Sequence, residues 1–170
     1  ISLPAVAAAW NDWASHLANA PGRRLELGQA AMHDAWRLWL FTTRALGSGG
    51  AGGASEPFPP EGDDPRFTAE AWHRFPFNVY AQAFLATQAW WDAATTGPRG
   101  VTAQHERQVR FMARNALDRW APSNLPLTNP EVLEAVIELC QEAGAKKVRI
   151  VDHTIHGANS CFAVTGAGMA

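Results

Sequence analysis

Residues 47–65 constrain the fold of this chain more than any other stretch. Gly47-Ser48-Gly49-Gly50-Ala51-Gly52-Gly53 is followed by Pro57, Pro59, Pro60 and Pro65. Glycine at that density loses too much backbone entropy on ordering to hold a helix or a strand. The prolines then lack the amide hydrogen a helix interior needs and favour extended backbone. The stretch predicts a flexible linker with helical segments on either side. Apolar residues make up 47% of the 170, and charged residues 18%. That is enough apolar material for a packed core outside the linker.

Helical periodicity accounts for most of the remainder. Residues 2–19 set Val6, Trp10, Trp13 and Leu17 on one face, with Ser2 as cap and Asn19, Pro21 and Gly22 as the stop. Residues 24–46 set Met32, Ala35, Trp36, Trp39 and Thr43 on one face. Thr68 is placed to cap a short helix through Trp72. Residues 76–95 carry Phe77, Tyr80, Phe84, Gln88 and Trp91 as a stripe, and Gly97-Pro98 ends that helix. Thr102 starts a helix to about Trp120, with His105, Val109, Met112, Ala116 and Trp120 near one face. Asn129 caps a helix that has Pro130 in its first turn and Gly144 at its end. Val148 and Ile150 then suggest a short strand that ends at Asp152.

The fold class expected is mainly α. Helices over 1–46, a linker over 47–65 and a helical region over 66–128 form a bundle-like N-terminal part. A helix–strand tail of different origin, incomplete, follows over 129–170. The shift at 129 is compositional. All eight Trp precede residue 121, whereas Cys140, Cys161, Lys146 and Lys147 all follow residue 130.

Net charge is −2, which disfavours a nucleic-acid binder, since that needs a basic surface. No run of apolar residues is long enough to cross a membrane. Two cysteines 21 positions apart make no disulfide framework, so a reducing, cytoplasmic setting is expected. The start at Ile1, with no signal peptide, reads as a piece of a longer chain.

Chemistry-bearing motifs are sparse. There is no phosphate loop, His-Glu-x-x-His motif or Gly-x-Cys-x-Gly nucleophile elbow. His16, His33, His73 and His105 are scattered over helices and suit polar faces better than a shared metal. Asp152, His153, His156 and Cys161 form one cluster of ligand-type residues, candidates for zinc or iron. A plain polar loop explains the same residues, so no cofactor is expected. The Trp faces have two readings: core, or a contact surface for a partner. Trp90 and Trp91 are the interaction candidates, because adjacent helical positions cannot both face one core.

One set of motifs carries a resemblance. Asn11-Asp12-Trp13-Ala14-Ser15-His16-Leu17 with Pro21-Gly22 comes first, then Asp64-Pro65-Arg66-Phe67, Ala71-Trp72 and Pro76-Phe77. Gln82-Ala83-Phe84-Leu85, Gln88-Ala89-Trp90-Trp91, Ala94-Thr95-Thr96-Gly97 and Arg99-Gly100-Val101 follow in order. Ala121-Pro122-Ser123-Asn124 and Thr128-Asn129-Pro130-Glu131-Val132-Leu133 complete it. Over about residues 5–133 the chain resembles the N-terminal region of polyhydroxyalkanoate synthases, the polymerases of storage polyester.

The resemblance implies a non-catalytic accessory region. In that family the N-terminal region serves self-association, granule attachment or support of an α/β-hydrolase-like domain carrying a Cys-Asp-His triad. That triad lies beyond the matched segment, so no residue here inherits a catalytic role. The implied partners are a second copy, the synthase catalytic domain or a polyester granule surface. The implied location is the cytoplasm, at granules. Residues about 130–170 resemble instead a domain of unknown function associated with ferredoxin-type iron–sulfur proteins, through Ala143-Gly144-Ala145-Lys146, Val151-Asp152 and Ser160-Cys161-Phe162. Two alternatives follow: a fragment of a metal or iron–sulfur protein through 130–170, or an acyltransferase in its own right.

Overall fold

A computed structural model describes residues 2–47, 55–60, 64–145 and 147–148. Among these residues the regular structure is helical: α1 (Leu3–Ala18), α2 (Pro21–Gly47), α3 (Phe77–Thr95), α4 (Ala103–Arg119) and α5 (Pro130–Glu142). Short 3₁₀ turns stand at Pro65–Phe67, Glu70–His73 and Pro122–Asn124. The mainly α expectation holds. Of the strand expected from Val148 to Asp152, only Val148 is described, and it is not in a strand. The rest lies outside the described residues.

The local chemistry explains the helix ends. Thr102 caps α4 by accepting from the His105 amide. Asn129 caps α5 by accepting from the Glu131 and Val132 amides. Both caps satisfy donors that a first turn leaves open. Ser2 caps α1 differently: its side chain makes no capping bond, and its carbonyl accepts from Ala5 and Val6.

Two expectations fail at helix starts. α2 begins at Pro21, not at 24, so Pro21-Gly22 opens a helix instead of only closing one. Proline suits a first turn, where its missing amide hydrogen would have no partner anyway. Thr68 does not cap the turn at Glu70–His73, whose N-cap is Ala69. It closes the preceding turn, its hydroxyl donating to Pro65 O at 2.9 Å.

Contacts divide the chain into two units. The first takes in residues 1–37 and 84–121. Here the C-terminal half of α3 meets α1, the start of α2, and α4. The Trp13 indole N–H donates to Ala94 O at 3.0 Å, and Arg23 donates to Ala93 O at 2.7 Å. Arg110 of α4 pairs with Asp92 at 2.6 Å. Ala9 of α1 and Val109 of α4 are fully buried.

The second unit takes in residues 38–83 and those from 122 onward. Trp72, 1% exposed, is its anchor. The ring stands edge-on to Phe67 at 4.9 Å and to Phe77 at 6.4 Å. Its N–H donates to Glu131 Oε1 at 3.1 Å, which ties the first turn of α5 to the Glu70–His73 turn. The segment 55–60 is held by buried Phe58, whose amide donates to Gln82 Oε1 at 2.7 Å. Glu56 pairs with His73 at 2.6 Å.

Candidate interaction surfaces

Burial of aromatic side chains decides which faces are core and which are offered outward. In the first unit Trp10, Trp13 and Trp91 form one cluster. Ring centroids are 5.3 Å apart for Trp10–Trp13, 6.3 Å for Trp10–Trp91 and 6.1 Å for Trp13–Trp91. Trp90 stands edge-on to Trp91 at 5.4 Å and donates its indole N–H to Leu27 O at 3.0 Å. Successive helix positions point about 100° apart. Trp91 therefore reaches α1 while Trp90 reaches α2, and both rings are half-buried.

α2 was open to both readings, core or contact surface. Its face through Met32, Trp36 and Trp39 is exposed, with Met32 at 77% and Trp39 at 54%. The buried positions are Leu27, Phe41 and Ala45. α2 carries two apolar rows, and the larger side chains stand on the outer one. Trp120, expected near the face of α4 that carries His105 and Val109, sits at its C-cap and is 71% exposed.

α5 repeats the arrangement. Leu133, Ile137 and Cys140 form a half-buried row. Val132, Val136 and Leu139 form an exposed row at the same i, i+4, i+7 spacing. The sequence reading assigned no face to this helix, and the outer row was missed. Three apolar residues next to an inner row of equal spacing were the available signal.

The polar groups near these faces are engaged structurally. Asp12 of α1 accepts from His105 Nδ1 at 2.6 Å. His16 Nδ1 lies 3.1 Å from the other Asp12 carboxylate oxygen. The hydrogen bond from His105 and that from the Thr102 amide hold the Asp12 carboxyl below its ordinary range, against a partial desolvation. His33 lies beside Asp34. Among the described residues no three His, Cys, Asp or Glu side chains are grouped to hold a metal. Cys140 is a free thiol on α5. The metal candidates Asp152, His153, His156 and Cys161 lie outside the described residues.

No described helix is long and apolar enough to cross a membrane. Residues 63–157 match the family described as Poly-beta-hydroxybutyrate polymerase (PhaC) N-terminus. Residues 1–23 match a second, described as Poly-beta-hydroxybutyrate polymerase N terminal. The chain is 27% identical to the Poly(3-hydroxyalkanoate) polymerase subunit PhaC of Rhizobium etli over 121 residues, 69% of this chain and 19% of that protein. It is 29% identical to a Poly(3-hydroxyalkanoate) polymerase of Methylorubrum extorquens over 114 residues, 66% of this chain and 18% of that protein. It thus spans about a fifth of the length of these relatives. No solved structure matches it. The iron–sulfur resemblance of residues 130–170 finds no support here, and the first match carries the polymerase likeness through α5 to residue 157. By that match over more than half its length, the chain belongs to the poly-beta-hydroxybutyrate polymerase N-terminal family.

Proposed function

We propose that this chain is the non-catalytic accessory region of a polyhydroxyalkanoate polymerase and that it supports the catalytic part by docking to it through α5. The observation that carries this reading is the exposed Val132, Val136 and Leu139 row on a helix inside the family match. An apolar row of this kind is stabilised when a partner removes it from water. The inner face of the same helix is fixed in place by Glu131 and by buried Pro130, so the outer row is presented on a rigid support. Self-association and attachment to polyester granules in the cytoplasm are the companion roles. Trp120, exposed at the end of α4, adds apolar surface for such contacts.

The test is binding of the purified chain to the catalytic part of its own polymerase. Leu139→Asp should weaken that binding by roughly tenfold or more, because burying an unpaired carboxylate is costly. Equal binding by the variant and the parent would overturn the α5 assignment. Purified alone, the chain should release no coenzyme A from hydroxybutyryl-coenzyme A. Turnover by the isolated chain would favour the acyltransferase reading instead.

A further inference from the structure

Glu56-Pro57-Phe58-Pro59-Pro60 lies on the second unit in the manner of a bound peptide. Phe58 is 5% exposed, whereas Glu56, Pro59 and Pro60 around it are exposed. The Phe58 amide donates to Gln82 Oε1 at 2.7 Å. The other end of that side chain, Gln82 Nε2, donates to Glu56 Oε2 at 3.4 Å. His73 Nδ1 meets the remaining Glu56 oxygen, Oε1, at 2.6 Å. Gln82 is itself 2% exposed, so a buried amide turns both its ends to the segment. Pro57, Pro59 and Pro60 have no amide hydrogen. Within 57–60 Phe58 therefore carries the one main-chain donor, and Gln82 takes it.

These features are those by which extended proline-rich ligands are recognised. The prolines hold the backbone extended before docking, so little entropy is lost on binding. One aromatic ring is the anchor, a side-chain amide reads the main chain, and a carboxylate two positions earlier fixes the register. A leucine at position 82 would bury similar surface but could not read a main-chain N–H. With the segment lifted away, both ends of Gln82 lose these partners, which a buried amide tolerates poorly. The emptied groove then favours another ligand with the same donor, acceptor and ring. A ligand tethered within its own chain stands at an effective concentration on the order of 1 mM, so a weak one stays bound and still yields to a tighter competitor. We propose that the Glu70–His73 turn and the start of α3 form a peptide-binding groove that residues 56–60 occupy in cis. The groove accepts from another polypeptide an extended segment with a phenylalanine between prolines and a carboxylate two positions before it. This goes beyond the accessory reading and does not depend on the α5 contact.

The experiment titrates the full chain with a synthetic peptide of residues 55–60, its ends blocked, and follows the Gln82 side-chain amide by NMR. Phe58→Ala removes the anchor of the cis segment and frees the groove. The peptide should bind this variant roughly tenfold or more tightly than the parent, whose own segment competes. Equal binding to both chains, or binding to neither, overturns the proposal. A peptide N-methylated at its phenylalanine loses only the donor to Gln82 and should bind the variant roughly tenfold more weakly. Undiminished binding of that peptide overturns the role of Gln82. Glutamine in place of the peptide's glutamate should cost about two- to fivefold, the share of a partly exposed ion pair. Hydrogen exchange in the parent chain keeps the test decisive if Phe58→Ala fails to fold. A detachable segment should exchange its Phe58 amide roughly tenfold or more faster than the amides in the middle of α3, because it opens without global unfolding. A Phe58 amide that exchanges only as slowly as those of α3 marks a permanent part of the core and overturns the proposal.

Discussion

Asp12 and His105 join the first and fourth helices through a hydrogen bond of 2.6 Å, 93 positions apart in the chain. The same carboxylate is approached by His16 from one turn along α1. Its pKa is depressed in the folded chain, chiefly by the His105 hydrogen bond. A depressed carboxyl contributes stability that is present above its unfolded value of 3.8 and is lost as pH falls through the lower folded value. Asp12→Asn should therefore lower the melting temperature at neutral pH and flatten its fall in acid. Thermal melts of parent and variant from pH 7 down to pH 3 check this. Parallel curves would show that Asp12 does not carry the acid dependence.

Gly100 and Gly97 provide a matched pair. Both have positive φ, +93° and +68°, a region that costs any residue with a Cβ. At Gly100 a Cβ would also collide with the His16 ring, whereas at Gly97 it would meet nothing within 4 Å. Gly97→Ala should cost about 1 kcal/mol, the backbone strain alone. Gly100→Ala should cost about 2–3 kcal/mol, strain plus the displaced imidazole. Denaturant titration of both variants measures the difference. Equal losses would mean that His16 moves aside freely.

Trp90 and Trp91 should separate in the same assay. Trp91 belongs to the three-ring cluster with Trp10 and Trp13, so Trp91→Ala should cost about 2–4 kcal/mol, less than a fully buried Trp. Trp90→Phe keeps a ring and removes the donor to Leu27, and should cost about 1 kcal/mol. If Trp91→Ala left stability unchanged and weakened partner binding, the ring would be a contact residue and not a packing one.

What the sequence made legible follows the range of the interactions involved. Thr102, Asn129, Pro130 and Gly144 act within one or two turns, and their capping roles were readable from residue type and position. The inward face of α1, with Val6, Trp10, Trp13 and Leu17, was readable because that helix has one apolar row. α2 has two. Periodicity finds apolar rows but cannot rank them, and the row with the larger aromatics is the exposed one. Burial in α2 follows Leu27, Phe41 and Ala45, and at Leu27 the carbonyl is met by Trp90 from 63 positions away. The carboxylate partners of His73 and His105 were unreadable for the same reason. Glu56 lies 17 positions from His73, and Asp12 lies 93 from His105.

α5 has a practical consequence for handling the protein. Its inner row is occupied, its outer row is apolar, and the residues before it are knit to it through Trp72 and Glu131. Removing the helix would strip Trp72 of its hydrogen-bond acceptor, while keeping it leaves Val132, Val136 and Leu139 exposed. Neither choice of C-terminal boundary is neutral. Preparations that include α5 should show concentration-dependent stickiness that a charged residue at Leu139 relieves, and those that omit it should lose cooperativity around Trp72.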